Sequence, residues 1–202
     1  MDFVFRIVFP LLVFFFGQFI SVSNGHLERP YRSRIEVSNG GRWGSWGHQE
    51  MCPFGTYATG FSLKVERAIG DGDDTALNGI ALRCSMPAYG TQSYSTVQSD
   101  VGSWGTWTQN IWCSSGVLNA FQLRVEGPQG RGDDTAANNI RFSCSSGEIR
   151  TGDGMYWGEW GEWSPQCVKT AICGIQTKVE IPQGSGDDTS LNDVRFFCCS
   201  LG

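Results

Sequence analysis

GDDTALNGIALRC, residues 72–84, returns as GDDTAANNIRFSC at 132–144 and as GDDTSLNDVRFFC at 186–198. Six of the thirteen positions are identical in all three copies, at offsets of 60 and 54 residues, so one unit is used three times. Upstream of each copy lies a second matching block: FSLKVE from Phe61, FQLRVE from Phe121 and IQTKVE from Ile175. Further back stands a Trp-Gly-x-Trp pair, read as Trp43/Trp46, Trp104/Trp107 and Trp160/Trp163.

Each block has the period of a strand. Phe61, Leu63 and Val65 alternate with Ser62, Lys64 and Glu66, and Ile80, Leu82 and Cys84 alternate in the same way. Gly-Asp-Asp-Thr between them is turn chemistry, since glycine takes positive φ freely and Asp accepts nearby backbone N–H groups. With a Trp-bearing strand and a further extended piece (Ile35–Val37 in the first copy), a repeat offers about four strands. Such a unit cannot bury its apolar face alone, so three should pack around a common pseudo-threefold axis.

The flanking sequence sets the compartment. Arg6 precedes an apolar stretch, Ile7 to Ile20, that closes in Ser21-Val22-Ser23, the pattern of a signal peptide over 1–23. A membrane span needs about 20 apolar residues, so no membrane insertion is expected. The remaining 24–202 read as a single domain with repeats at about 35–92, 93–148 and 149–202. The net charge of −5 excludes the basic footprint of a nucleic-acid binder. Glycine (27) and tryptophan (8) are abundant while helix-forming runs are scarce, which favours an all-β chain.

The repeat also resolves the eight cysteines. Cys52 and Cys84, Cys113 and Cys144, and Cys167 and Cys198 recur at spacings of 31 to 32, which leaves Cys173 with Cys199. Four intrachain disulfides fit an oxidising compartment, each contributing about 3–4 kcal/mol in the chain-entropy picture. With two histidines, His26 and His48, and no Cys-x-x-Cys, zinc is a poor alternative to disulfides, and no metal or cofactor is expected.

The Trp-Gly-x-Trp, Gly-Phe-Ser-Leu-Lys-Val-Glu and Gly-Asp-Asp-Thr-Ala-x-Asn blocks, with the terminal Cys198-Cys199, resemble the vitelline membrane outer layer protein family from about Ile35 onward. The resemblance implies a β-prism: three Greek-key sheets around an approximate threefold axis, with a four-disulfide pattern that agrees with the pairing above. It also implies a structural role in an egg coat, in association with a mucin-like glycoprotein. A transferase-like activity on chito-oligosaccharides is ascribed to the family, but no residue is carried over for it.

The candidate sites divide accordingly. Asp73, Asp74, Asp133, Asp134, Asp187 and Asp188 could be catalytic carboxylates, but glycosyl transfer needs two carboxyls with unlike protonation. Threefold repetition gives them one shared environment, so they are read as turn residues and no catalytic residue is assigned. Asp71 with Asp73 and Asp74 lacks the further ligands of a calcium loop. Arg131-Gly132-Asp133 borrows its last two residues from the repeat. No nucleophile motif accompanies His48.

Tryptophans are the better binding candidates, because pyranose C–H faces stack on aromatic rings. Residues three apart on a strand face opposite ways, so one of each pair is expected to be core. The other, Trp46, Trp107 or Trp163, with Trp112 and Trp157, would form a contact surface. Lys64, Arg124 and Lys178 read as a solvated face. The expectation is therefore a secreted, extracellular protein associating with mucin-like glycoproteins or oligosaccharides in a coat or secretion. A chito-oligosaccharide transferase or a β-prism lectin are the alternatives.

Overall fold

The computed structural model describes residues 29–67, 75–87, 92–127, 137–180 and 190–202. The leader 1–23, the six repeated acids, Asp71 and Arg131 lie outside the described residues.

The described chain is all-β and forms a β-prism of three curled sheets. In chain order the strands are β1 (Ser33–Ile35), β2 (Ser45–Trp46), β3 (Glu50–Met51), β4 (Tyr57–Val65), β5 (Leu77–Ser85), β6 (Ser95–Gln98) and β7 (Thr106–Trp107). They continue as β8 (Ile111–Trp112), β9 (Leu118–Val125), β10 (Ala137–Cys144), β11 (Ile149–Thr151), β12 (Glu159–Trp160), β13 (Thr170–Val179) and β14 (Leu191–Ser200). The FSLKVE-type and ALNGIALRC-type blocks become the long antiparallel hairpins β4–β5, β9–β10 and β13–β14.

Each hairpin is completed by strands from the next repeat. Sheet B runs β6-β5-β4-β7, and sheet C runs β11-β10-β9-β12, each a Greek key in which the fourth strand returns beside the first. Sheet A obeys the same order, β1-β14-β13-β2, but its third and fourth strands come from the beginning of the chain. The sequence repeat and the sheet are thus out of phase, and the prism is closed by pairing residues 33–51 with 170–200.

Inward positions meet on the pseudo-axis. Phe61 from sheet B, Phe121 and Phe142 from sheet C and Phe196 from sheet A are fully buried. Their rings pack at 4.7 Å (Phe61–Phe142), 4.8 Å (Phe121–Phe196) and 5.2 Å (Phe142–Phe196). Each contributes about 1.5–3 kcal/mol of burial relative to exposure. The repeated asparagines Asn78, Asn138 and Asn192 are buried too, and their backbone carbonyls accept the N–H groups of Gly102, Met155 and Gly41. Asn78 shows why the residue is retained. Its side chain donates to Thr75 Oγ1 at 2.6 Å and accepts from Ser190 Oγ at 2.8 Å, tying sheet B to sheet A.

The disulfides are Cys52–Cys84, Cys113–Cys144, Cys167–Cys198 and Cys173–Cys199. Cys52, Cys113 and Cys167 donate their N–H groups to Cys173, Thr59 and Asn119, which places them on sheets A, B and C. Their partners, Cys84, Cys144 and Cys198, lie on sheets B, C and A. Three staples therefore ring one end of the prism, each joining adjacent sheets, and the fourth crosslinks β13 to β14.

Candidate functional site

The tryptophan loops end against the long hairpins at one register in all three sheets. Trp46 pairs with Lys178, Trp107 with Lys64 and Trp160 with Arg124. The third member is thus Trp157-Gly158-Glu159-Trp160, one step earlier than the Trp160/Trp163 pair read from the sequence. Gly158 matches Gly44 and Gly105, with φ of 72°, 78° and 80°. A Cβ at any of the three would run into the backbone of Val125, Val179 or Val65.

The repeated cations have a definite task, contrary to their reading as a solvated face. Lys64 Nζ donates to Gly102 O (2.7 Å) and Ser103 O (3.1 Å), Arg124 Nε to Gly158 O (2.9 Å), and Lys178 Nζ to Arg42 O (2.6 Å). Each cation fastens the loop that carries the first tryptophan of the pair.

No tryptophan is core, which corrects the inward–outward expectation. Trp43 is 66% exposed, Trp104 53% and Trp107 40%, while Trp46, Trp112, Trp157 and Trp160 are half-buried. The inner faces are filled by Phe, Leu and Ile, and the two-residue strands β2, β7 and β12 lie at sheet edges. Trp163 is exposed beyond β12, and Trp112 on β8 meets Tyr94 edge-on at 5.1 Å.

On two of the three outer faces the second tryptophan is already occupied. The Arg195 guanidinium stacks on Trp46 at 4.1 Å, and Arg141 on Trp160 at 4.6 Å. Arg141 also lies 5.6 Å from the Trp163 ring. Each arginine is oriented by a glutamine: Arg195 Nε donates to Gln176 Oε1 at 2.8 Å and Arg141 Nε to Gln122 Oε1 at 2.5 Å. Both glutamines return a bond to the loop carbonyls of Gly47 and Gly161, each at 2.6 Å. Sheet B has Ser62 and Ala81 at these positions, so no guanidinium stacks on Trp107 among the described residues. The nearby Arg83 is committed elsewhere, to Ser62 Oγ (2.7 Å) and Asn110 Oδ1 (2.7 Å). The sequence held this signal as Gln and Arg in two copies against Ser and Ala in the first, and the motif reading passed over it.

The acids are asymmetric as well. Asp193 takes the place of Gly79 and Asn139, and burial pushes its carboxyl up to about 6. Glu36, just past the end of β1, pairs with Arg34 (3.1 Å) and Arg195 (3.6 Å). The Asp193 carboxyl lies packed under Gly40 instead of opening into a cleft. His48 contacts Asp100 (2.5 Å) and Glu50 (3.7 Å), all exposed, and the Ser99 hydroxyl donates to the His48 carbonyl (2.6 Å). That arrangement bridges sheets A and B and supplies no activated nucleophile.

With this geometry in hand, the vitelline membrane outer layer protein I family model matches residues 33–201. The chain belongs to this family. It is 54% identical over 171 residues to a human vitelline membrane outer layer protein 1 homolog, covering 84% of each chain. The Mus musculus homolog is 50% identical over 177 residues, with 87% of each chain covered. Among solved structures, Calystegia sepium agglutinin superposes with a TM-score of 0.54 at 12% identity, over 85% of this chain and 99% of that one. Calsepa lectin in complex with a bisected glycan gives 0.53 at 11% identity, over 84% and 99%. Single-chain recombinant jacalin gives 0.52 at 10% identity, over 85% and 98%. At such identities the likeness establishes the shared β-prism.

Proposed function

We propose that this chain is a secreted, extracellular binding protein that associates with glycans or with mucin-like glycoproteins in a coat or secretion, using the aromatic outer face of the prism. The observation that carries this reading is Trp107. Its ring is 40% exposed and lacks the guanidinium that covers the equivalent ring in the other two sheets. Lys64 lies opposite Trp107 in the strand pairing, and Arg83 and Asn110 are hydrogen-bonded to each other on the same sheet; an exposed ring with polar neighbours is the combination that saccharide recognition uses. Lectin neighbours that carry glycans on a similar prism lend support, although a fold alone licenses no function. The leader pattern over 1–23 and four disulfides support export.

The experiment is glycan-array and mucin binding of the oxidised protein, with chito-oligosaccharides incubated alongside and their product masses recorded. Saturable binding with unchanged sugar masses is the expected result. Longer oligosaccharides among the products would replace this reading with glycosyl transfer, and absence of any binding would remove it.

A further inference from the structure

The cysteine-ringed end of the prism holds a concave site far from the tryptophan loops. Residues 29–32 run beside the 53–57 turn and residues 199–202, and together they border a half-open cavity of about 580 Å³. Its wall includes Arg29, Tyr31, Arg32, Phe54, Tyr57 and Ser200. That volume falls in the range of about 300–1,000 Å³ typical of small-molecule sites.

Arg29 is the unusual member, with only 6% of its surface exposed. Nη1 donates to the carbonyls of Cys52 (3.1 Å), Pro53 (3.0 Å) and Thr56 (2.6 Å). The guanidinium carbon sits 4.8 Å from the Tyr57 ring centroid and 6.0 Å from that of Phe54. The three carbonyl bonds all fall on Nη1 and fix the guanidinium plane, and the same side chain hydrogen-bonds to Tyr57. Burial draws its pKa down, yet an arginine side chain stays charged in proteins. Arg32 is held across the rim by its Nε bond to Ser200 Oγ at 2.9 Å.

Arg29 and Arg32 form no ion pair among the described residues, and unlike Arg42, Arg83, Arg124 and Arg141, which form none either, both line this one cavity. No Asp or Glu lines the cavity. A net charge of −5 makes two guanidinium groups on one cavity wall, with no acidic side chain among the lining residues, a local reversal of the protein's field. Guanidinium forks match carboxylate and sulfate oxygens, and aromatic rings match the C–H face of a pyranose.

We propose that this cavity binds a saccharide bearing a carboxylate or a sulfate ester, its anionic group held by Arg29 and Arg32 and its ring laid against Tyr31, Phe54 and Tyr57. The proposal rests on the glycan-binding reading and adds to it a second site and the acidic class of sugar.

The test is amide-resolved NMR titration of the oxidised protein with 3′-sialyllactose, N-acetylglucosamine 6-sulfate, lactose and inorganic sulfate. Either acidic sugar should shift the amides of residues 31–32, 54–57 and 199–202, and which of the two does so separates carboxylate from sulfate recognition. Arg32→Gln and Phe54→Ala, both at exposed positions, should each weaken that response at least fivefold while leaving the thermal midpoint unchanged. Lactose shifting these amides equally, or inorganic sulfate binding as tightly as the sulfated sugar, would overturn the proposal. So would a response unaltered by either substitution, or one seen only after Leu201 and Gly202 are removed, since the chain's own end would then be the occupant. If no acidic sugar acts here while mucin binding through Trp107 persists, this proposal alone falls; if neither is seen, both fall.

Discussion

Cys52 and Cys84 are joined by a disulfide although they belong to different sheets, Cys52 hydrogen-bonded along β13 of sheet A and Cys84 within β5 of sheet B. Its two counterparts, Cys113–Cys144 and Cys167–Cys198, staple B to C and C to A. Cys173–Cys199 instead lies within the β13–β14 ladder. Chain entropy values a loop of this size at about 3–4 kcal/mol whichever pair is cut. The consequences for local opening should nevertheless differ. Removing Cys52–Cys84 by double alanine substitution should raise amide exchange at the A–B seam, around 50–52 and 84–85. Removing Cys173–Cys199 should leave that seam protected, because the hydrogen-bonded ladder still holds its strands together. Equal exchange at the seam in both variants would show that the ring of staples does not hold the sheets together.

Trp107 and Trp46 occupy equivalent positions but differ in what covers them. Trp107→Ala should lower glycan or mucin affinity by about 5- to 30-fold, the equivalent of about 1–2 kcal/mol for losing an aromatic platform. Trp46→Ala should change it less than about twofold, because Arg195 already stacks on that ring at 4.1 Å. Its cost should fall on stability, at about 1–2 kcal/mol for the lost cation–π contact and packing. Isothermal titration and thermal melts read the two effects separately. Equal losses of affinity would mean that the guanidinium does not mask the ring.

Most of the architecture was legible because the chain states it three times. The Phe61-Ser62-Leu63 alternation and the GDDT turn identify one hairpin, and repetition turns that local signal into a threefold arrangement. What could not be read is where each hairpin finds its outer strands. Period-two alternation names a strand but no partner, so the pairing of β4 with β7 from the next repeat rests on long-range hydrogen bonds. The misplaced third tryptophan pair has a different cause. Trp157 to Trp163 contains two overlapping Trp-Gly-Glu-Trp motifs, and side-chain identity cannot choose between them. The positive φ of Gly158 and the pairing of Trp160 with Arg124 choose the first. The Arg29 cavity was invisible for a third reason: it is built from residues 29–32 and 199–202, at opposite ends of the described chain.

Gly105 and Gly147 separate two costs that usually come together. Both have positive φ, 80° and 88°. A Cβ at Gly147 meets open space, whereas one at Gly105 collides with the Val65 backbone. Gly147→Ala should cost about 1–2 kcal/mol for the left-handed conformation alone. Gly105→Ala should cost more, about 2–4 kcal/mol, and displace the loop carrying Trp104 and Trp107. Urea unfolding gives the first quantity and tryptophan emission reports the second. Equal costs would show that the loop yields without strain at β4.

Asp193 supplies the pH dependence. Its carboxyl is raised from 3.8 to about 6, by burial first, with Glu36 adding to the rise and the Val194 N–H, Lys178 and Arg195 opposing it. A raised carboxyl pKa means that the folded state favours the protonated acid, so this contribution is complete below about pH 4 and is lost as pH climbs through 6. At full strength the shift corresponds to about 3 kcal/mol, and partial solvent access brings the expectation nearer 1–2 kcal/mol. The second repeat shows the neutral alternative. Asn139 holds the equivalent position, donates to Gly152 O at 2.9 Å and accepts the Ile140 N–H at 2.8 Å, just as Asp193 accepts that of Val194 at 2.8 Å. Asp193→Asn should therefore match the parent in stability near pH 3.5 and exceed it by about 1–2 kcal/mol at pH 7.5. Denaturant unfolding across that range tests the claim. A stability difference independent of pH would mean that the Asp193 carboxyl titrates alike in the folded and unfolded chain and that its site under Gly40 is better hydrated than its packing implies.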